Sequence, residues 1–152
     1  MNASVFDPEL FLQQGTTEQS VRRPPVPAGT EVVGTITDLK VRQWQGKKDP
    51  TQSGIAFDVQ IKCETSTLAN QPETVTFKDG IMVDTTPHGT IDYGTGKNNR
   101  LRQYRDATGQ NVAGQMFRPV DLIGRMVKVK VAHRVNDQTN EIYDEVGAIA
   151  KA

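Results

Sequence analysis

From Ile55 to Cys63 the chain alternates without a break. Ile55, Phe57, Val59, Ile61 and Cys63 fall on one side, and Ala56, Asp58, Gln60 and Lys62 on the other. Only a strand has a side-chain period of two, so this stretch demands a sheet with one dry face and one wetter face. Val127, Val129, Val131, His133 and Val135 alternate in the same way against Lys128, Lys130, Ala132 and Arg134. Glu31 to Trp44 is another β-rich run (Val32, Val33, Ile36, Leu39, Val41), in which Gly34 and a broken alternation predict a bulge or tight bend. Val75, Phe77, Ile81 and Val83 predict a further strand, interrupted at Lys78-Asp79-Gly80. After a turn at Asn136 to Asn140, Ile142 to Ile149 returns as the last.

One helix interrupts this series. Asn98 or Asn99 is placed to cap it, Leu101, Tyr104 and Thr108 share a face, and Gly109 ends it. The order of three strands, a helix and two strands predicts a mostly β domain with one main helix. The matching architecture is an OB-fold-like, five-stranded Greek-key barrel, in which a long kinked first strand serves both sides and the helix plugs one end. A β-sandwich or jelly roll with an inserted helix is the competing architecture, but eight strands are hard to find.

Residues 1–28 read as an N-terminal arm and 29–152 as the barrel domain. Asp7-Pro8-Glu9 is a helix-start signal, with Leu10, Phe11 and Leu12 behind it, and Arg22-Arg23-Pro24-Pro25-Val26-Pro27 should be extended. Exposed Phe6, Leu10 and Phe11 require a surface, on this domain or on a partner, and predict a homo-oligomer formed through the arm. The first residues lack the basic leader and small-residue cleavage site of a signal peptide. No apolar run approaches the roughly 18 residues of a membrane span. A single cysteine, Cys63, cannot form an internal disulfide and points to a reducing compartment. The expected setting is therefore intracellular or virion-associated.

The 18 basic and 18 acidic residues cancel only in sum. Segment 93–134 carries nine positive charges against two negative, whereas 64–92 carries one against five. A local basic field of this kind is what a polyanion meets; lysines and arginines on solvated faces would give the same count.

Catalytic patterns are weak. Gly96-Lys97 would end a phosphate loop only with glycine at position 91 and Ser or Thr at 98, where the chain has Ile91 and Asn98. Cys63 is in phase with Ile61 and reads as a small buried residue; His133 shares the phase of Val131 and reads as a core or rim histidine. His88, near Asp84 and Asp92, lacks metal-ligand spacing, and Asp144 and Glu145 fit a solvated strand face. No enzyme, cofactor or metal is expected.

Single-stranded nucleic acid is held by a basic groove along the phosphates and by aromatic rings on which bases stack. The first hairpin supplies Arg42, Trp44, Lys47 and Lys48 at a strand–loop junction of the kind that flanks OB-fold ligand grooves. Lys62 faces outward on the next strand, Lys97 and Arg100 lie at the start of the helix, and Lys128, Lys130 and Arg134 face outward on the fourth strand. These ten residues are the candidate nucleic-acid site. Trp44 has an alternative role as a half-buried cap on the barrel.

The runs Asp84-Thr-Thr-Pro-His-Gly-Thr-Ile-Asp92, Gly94-Thr-Gly-Lys-Asn98, Leu101-Arg-Gln-Tyr-Arg-Asp-Ala-Thr-Gly109, Leu122-Ile-Gly-Arg125, Lys128-Val-Lys-Val131 and Ile142-Tyr-Asp-Glu-Val146 resemble small phage-encoded proteins grouped with OB-fold single-stranded-DNA-binding proteins. The resemblance covers roughly residues 24–150. It implies non-specific coating of single-stranded DNA in replication or recombination, in the cytoplasm of an infected bacterial host. Better-known members end in an acidic tail that recruits partners, whereas this sequence ends Ala148-Ile-Ala-Lys-Ala152. A rival expectation is a non-enzymatic virion component, a capsid decoration or cement protein, whose partner is the phage capsid protein and whose contact is the arm.

Overall fold

The computed structural model describes residues 5–152, so the first four residues of the expected arm lie outside the described part. Helix α1 (Pro8–Leu12) is followed by an extended segment, then strands β1 (Glu31–Gln45), β2 (Ser53–Glu64) and β3 (Thr74–Val83), helix α2 (Asn99–Ala107), a 3₁₀ turn at Pro119–Leu122, and strands β4 (Met126–Val135) and β5 (Ile142–Lys151). The five strands form one antiparallel sheet in the order β3-β2-β1-β4-β5. Strand β1 is long enough to be shared. Its first residues pair with β4, the rest with β2, and Gly34 and Thr35 pair with both.

Gly34 is not the site of the expected bulge; the register shifts between Ile36 and Asp38 instead. The glycine is needed because the neighbouring strand presses close. A Cβ there would stand 2.7 Å from both the Cys63 sulfur and Ile61 Cγ2. Strand β3 also runs through Lys78-Asp79-Gly80 without interruption. Asp79 is opposite Val59 and so occupies an inward position, which is why the apolar alternation falters there.

The inner face of the sheet packs Val32, Ile36, Phe57, Val59, Ile61, Cys63, Phe77, Val127, Val129 and Val131 against Leu101, Tyr104 and Ala107 of α2. Cys63 has no exposed surface, and burial, reinforced by Glu64, pushes its thiol up to about 12, so it stays protonated and inert. The expected closed barrel is not formed: β3 and β5 are the two edges of an open sheet. Side chains of α2 span the gap. Arg100 donates to Asp79 on β3 (3.0 Å) and to the carbonyls of Val146 (3.0 Å) and Gly147 (3.1 Å) on β5, while the Tyr104 hydroxyl donates to the same Asp79 carboxylate (2.6 Å).

Helix α2 starts without the expected side-chain cap. Asn98 holds the N-cap position at φ +50°, and its side chain accepts from the Asp84 N–H (2.8 Å) and donates to the carbonyls of Asp84 and Asp92. The residue thereby ties the β3–α2 connection to the end of β3 rather than serving the helix.

The expected arm divides into two parts. Val26 is fully buried, and the segment before it is clamped onto the domain. Asp144, expected on a solvated face, accepts two hydrogen bonds from Arg23 (2.7 and 2.8 Å) and one from the Val26 N–H (2.8 Å). On the neighbouring strand, Nε2 of His133 meets the Val26 carbonyl at 2.7 Å. Asp144 turned inward because a bulge between Lys130 and Val131 reset the phase of the β4–β5 ladder. By contrast, α1 buries no residue, and Phe6, Leu10 and Phe11 are exposed.

Burial opposes the charge on Asp144, but Arg23 and the Val26 N–H outweigh it and hold the carboxyl below its ordinary value. A depressed carboxylate stabilises the fold above its unfolded pKa, and that contribution disappears as pH falls toward the folded value. Asp144→Asn is expected to lose about 1–3 kcal/mol near neutral pH. Its melting-temperature deficit relative to wild type should shrink below about pH 4. Thermal melts between these conditions check this, and a deficit independent of pH would rule the clamp out as the cause.

Candidate nucleic-acid interface

The outward side chains of β1, β2 and β3 follow from the register. Trp44 lies opposite Gly54, Arg42 opposite Ala56 and hence Met82, Lys40 opposite Asp58 and Gly80, and Asp38 opposite Gln60 and Lys78. Three of these positions are glycine or alanine, so the floor is shallow, and the large side chains stand around it. The Trp44 indole lies directly on Gly54, where a Cβ would come within 2.6–2.7 Å of Nε1, Cε2 and Cζ2. Only glycine allows the half-buried ring to lie against the sheet.

Asp58 occupies the middle of this face, its side chain largely covered. Arg42 donates to it at 3.1 and 3.4 Å, and the Lys78 ammonium stands 3.7 Å away. The Arg42 hydrogen bond, against the cost of burial and with help from Lys78, holds the Asp58 carboxyl below its ordinary range. Two cations thus serve one anion. Lys40 and Asp38 pair at the rim (3.8 Å), where solvent weakens the attraction.

The β1–β2 loop leaves the sheet beside Trp44. It is held by Gly46 donating to the Gln52 carbonyl (2.7 Å) and by the Gln45 amide donating to the Pro50 carbonyl (2.7 Å). Lys47 and Lys48 are exposed and make no ion pair among the described residues. The β3–α2 connection leaves from the same end, because Val83 at the end of β3 pairs with Ile55 next to Gly54. Asn98 then bonds back to Asp84, so Lys97 is held near that end as well.

The ten expected residues therefore separate. Arg42, Trp44, Lys47 and Lys48 meet at one end of the sheet, and Lys97 is on the adjoining connection. Lys62 lies at the other end of the same face, six residues along β2 from Ala56, or roughly 20 Å. Lys128 and Lys130 are on the outer face of β4, Lys128 at 3.7 Å from Glu31 and Lys130 opposite it in the ladder. Arg134 is paired with Glu145 (3.5 Å) and shares the Tyr143 ring with Arg22, whose guanidinium carbon is 4.2 Å from the ring centre. Arg100 is a structural bridge, its guanidinium held by Asp79 and two carbonyls, so it is not available to a ligand.

Two features of the region were not read from the sequence. Lys40 and Lys78 join the face through pairing alone. Tyr93, Arg105 and Phe117 form a stack beside Lys97, with the Arg105 guanidinium carbon 5.6 Å from the Tyr93 ring centre and 4.6 Å from that of Phe117. No local pattern joins a loop tyrosine, a helix arginine and a phenylalanine twelve residues further on. Asp84 and Asp92, weighed with His88 as metal ligands, bond instead to Asn98 or, for Asp92, to the Gly94 N–H; among the described residues no group of three His, Cys, Asp or Glu side chains could hold a metal. The chain matches no protein-family model and no curated protein.

Proposed function

We propose that this chain is a phage-encoded single-stranded-DNA-binding protein with an OB fold. It coats strands without regard to sequence during replication or recombination in the cytoplasm of an infected bacterial host. The observation that carries this reading is the meeting of Trp44, Arg42 and Lys78 on an open sheet face beside a loop bearing two exposed lysines. An aromatic ring supplies a stacking surface indifferent to base identity, and the cations follow the phosphates. The OB assignment is supported by the strand order and by the position of α2 between β3 and β4. A barrel of this order closes where β3 meets β5, and here one guanidinium already reaches both edges.

The test is Trp44 fluorescence during titration with an oligo-dT strand at low and at raised salt. Quenching at micromolar concentrations or below that weakens steeply with salt is expected, because strand binding releases counterions. The absence of both quenching and a gel-mobility shift would overturn the proposal. Asp58→Asn should bind the strand more tightly, about threefold or more, because the anion competing for Arg42 and Lys78 loses its charge. Weaker binding would show that Asp58 positions the groove rather than competes with the ligand.

A second reading, a capsid decoration or cement protein, is favoured by the exposed apolar side chains of α1. On that reading the arm contacts the capsid protein or a second copy through Phe6, Leu10 and Phe11. Truncation should stop ahead of Arg22, since Arg23 and Val26 belong to the domain. Loss of residues 1–20 should then abolish particle binding or self-association and leave thermal stability unchanged.

A further inference from the structure

The Tyr93–Arg105–Phe117 stack stands between two clefts. One, of about 370 Å³, is lined by Tyr93, Lys97, Arg102 and Arg105 among others; its neighbour, of about 390 Å³, by Tyr93, Arg105, Met116 and Phe117 with the intervening loop. Tyr93 and Arg105 belong to both. Each volume is within the range of small-ligand pockets and large enough for a nucleotide base.

The charge at this place is unneutralised. Of the nine arginines, all but Arg105 and Arg125 have a carboxylate within ion-pair distance among the described residues. Arg105 is half-buried beside the Tyr93 and Phe117 rings, which meet edge to face at 6.4 Å, and among the described residues its side chain makes a single hydrogen bond, a long one to the Gln110 carbonyl (3.4 Å). Arg23 and Arg100, also partly buried, are both anchored by aspartate. Lys97 lines the first cleft, exposed and without an ion pair among the described residues, while Arg102 is paired with Asp106 at 3.1 Å. The ring of Tyr143 makes the contrast: guanidinium groups of Arg22 and Arg134 both stand over it, whereas Tyr93 has one such neighbour, Arg105, and remains half exposed.

We propose that this paired cleft is a second contact site for single-stranded DNA: one base stacks on Tyr93, and the adjoining phosphate is held between Lys97 and Arg105. The proposal rests on the strand-binding reading above and extends it. The bound strand would pass from Trp44, across the end of the sheet where β2 begins and β3 ends, to the β3–α2 connection.

The experiment uses the full chain and an oligo-dT strand carrying 5-bromodeoxyuridine. Irradiation should crosslink the strand to Tyr93 as well as to the Trp44 region, located by mass spectrometry of the digested complex. Tyr93→Leu and Lys97→Glu should each weaken strand binding, measured by anisotropy of a labelled oligonucleotide, by roughly fivefold or more. Lys97→Glu touches no packing, so it decides the matter if Tyr93→Leu lowers thermal stability. Wild-type binding that quenches Trp44, with no crosslink at Tyr93 and no loss in Lys97→Glu, overturns the second site and leaves the first standing. Absence of any strand binding by the wild type overturns both.

Discussion

Replacing Trp44 by alanine while reversing Lys47 and Lys48 to glutamate is expected to weaken binding of single-stranded DNA by two to three orders of magnitude. Loss of base stacking on an aromatic ring accounts for about 1–3 kcal/mol of this. The rest is electrostatic. Two phosphate contacts disappear, each steepening the logarithmic salt dependence by about 0.7 for a single strand, and two repulsions replace them. The slope of log affinity against log salt should therefore fall by at least about 1.4. Both lysines are exposed and without an ion pair among the described residues, so the fold should survive; loss of the indole over Gly54 should cost about 1 kcal/mol of stability. Labelled-oligonucleotide anisotropy across a salt series measures both quantities, since this variant has no tryptophan to report. Unchanged affinity and slope would remove the groove from this end of the sheet.

The second large effect concerns stability. Asp79→Ala is expected to destabilise the domain by about 3–5 kcal/mol, because it strands a largely buried guanidinium and a buried phenol at once. Burial, with Asp79 beside it, drives the Tyr104 hydroxyl well above its ordinary range, so in the wild type the phenol is a neutral donor to that carboxylate. Arg100→Ala should cost less alone, since the two β5 carbonyls it releases lie near the open edge. The double variant should be much less damaging than the sum, because removing both partners leaves no unpaired charge. Urea midpoints of the four proteins give the coupling. A cost under about 1 kcal/mol for Asp79→Ala would mean that the two edges of the sheet are held by packing alone.

The strands were legible because their signal is local. Burial of one face imposes a period of two, and each of the five β segments carried enough of it to be seen. Deviations had long-range causes. The alternation of β3 stumbled at Asp79 because the partner of that carboxylate is on a helix 21 to 25 residues away. Asp144 was misplaced because one bulged residue reverses the facing of everything beyond it. Asn98 was expected to cap α2 from its type and position, but the helix N-cap and the strand end compete for one side chain, and the strand won.

The sequence by itself determined that this is a β chain with one main helix, that Cys63 is buried, and that Trp44 and its lysines stand together on one hairpin. Residues within a few positions of one another, joined by one turn, have little freedom to be elsewhere. Tertiary structure alone decided which charges are free. Arg42 and Arg100 look alike in the sequence, yet one lies on an outer face with a shared aspartate and the other crosses from β3 to β5. It alone brought Tyr93, Arg105 and Phe117 into one stack and set the β1–β2 loop beside the β3–α2 connection. The physical reason is that Coulombic and stacking interactions act through space, and the separations that govern them exist only once register and helix placement are set.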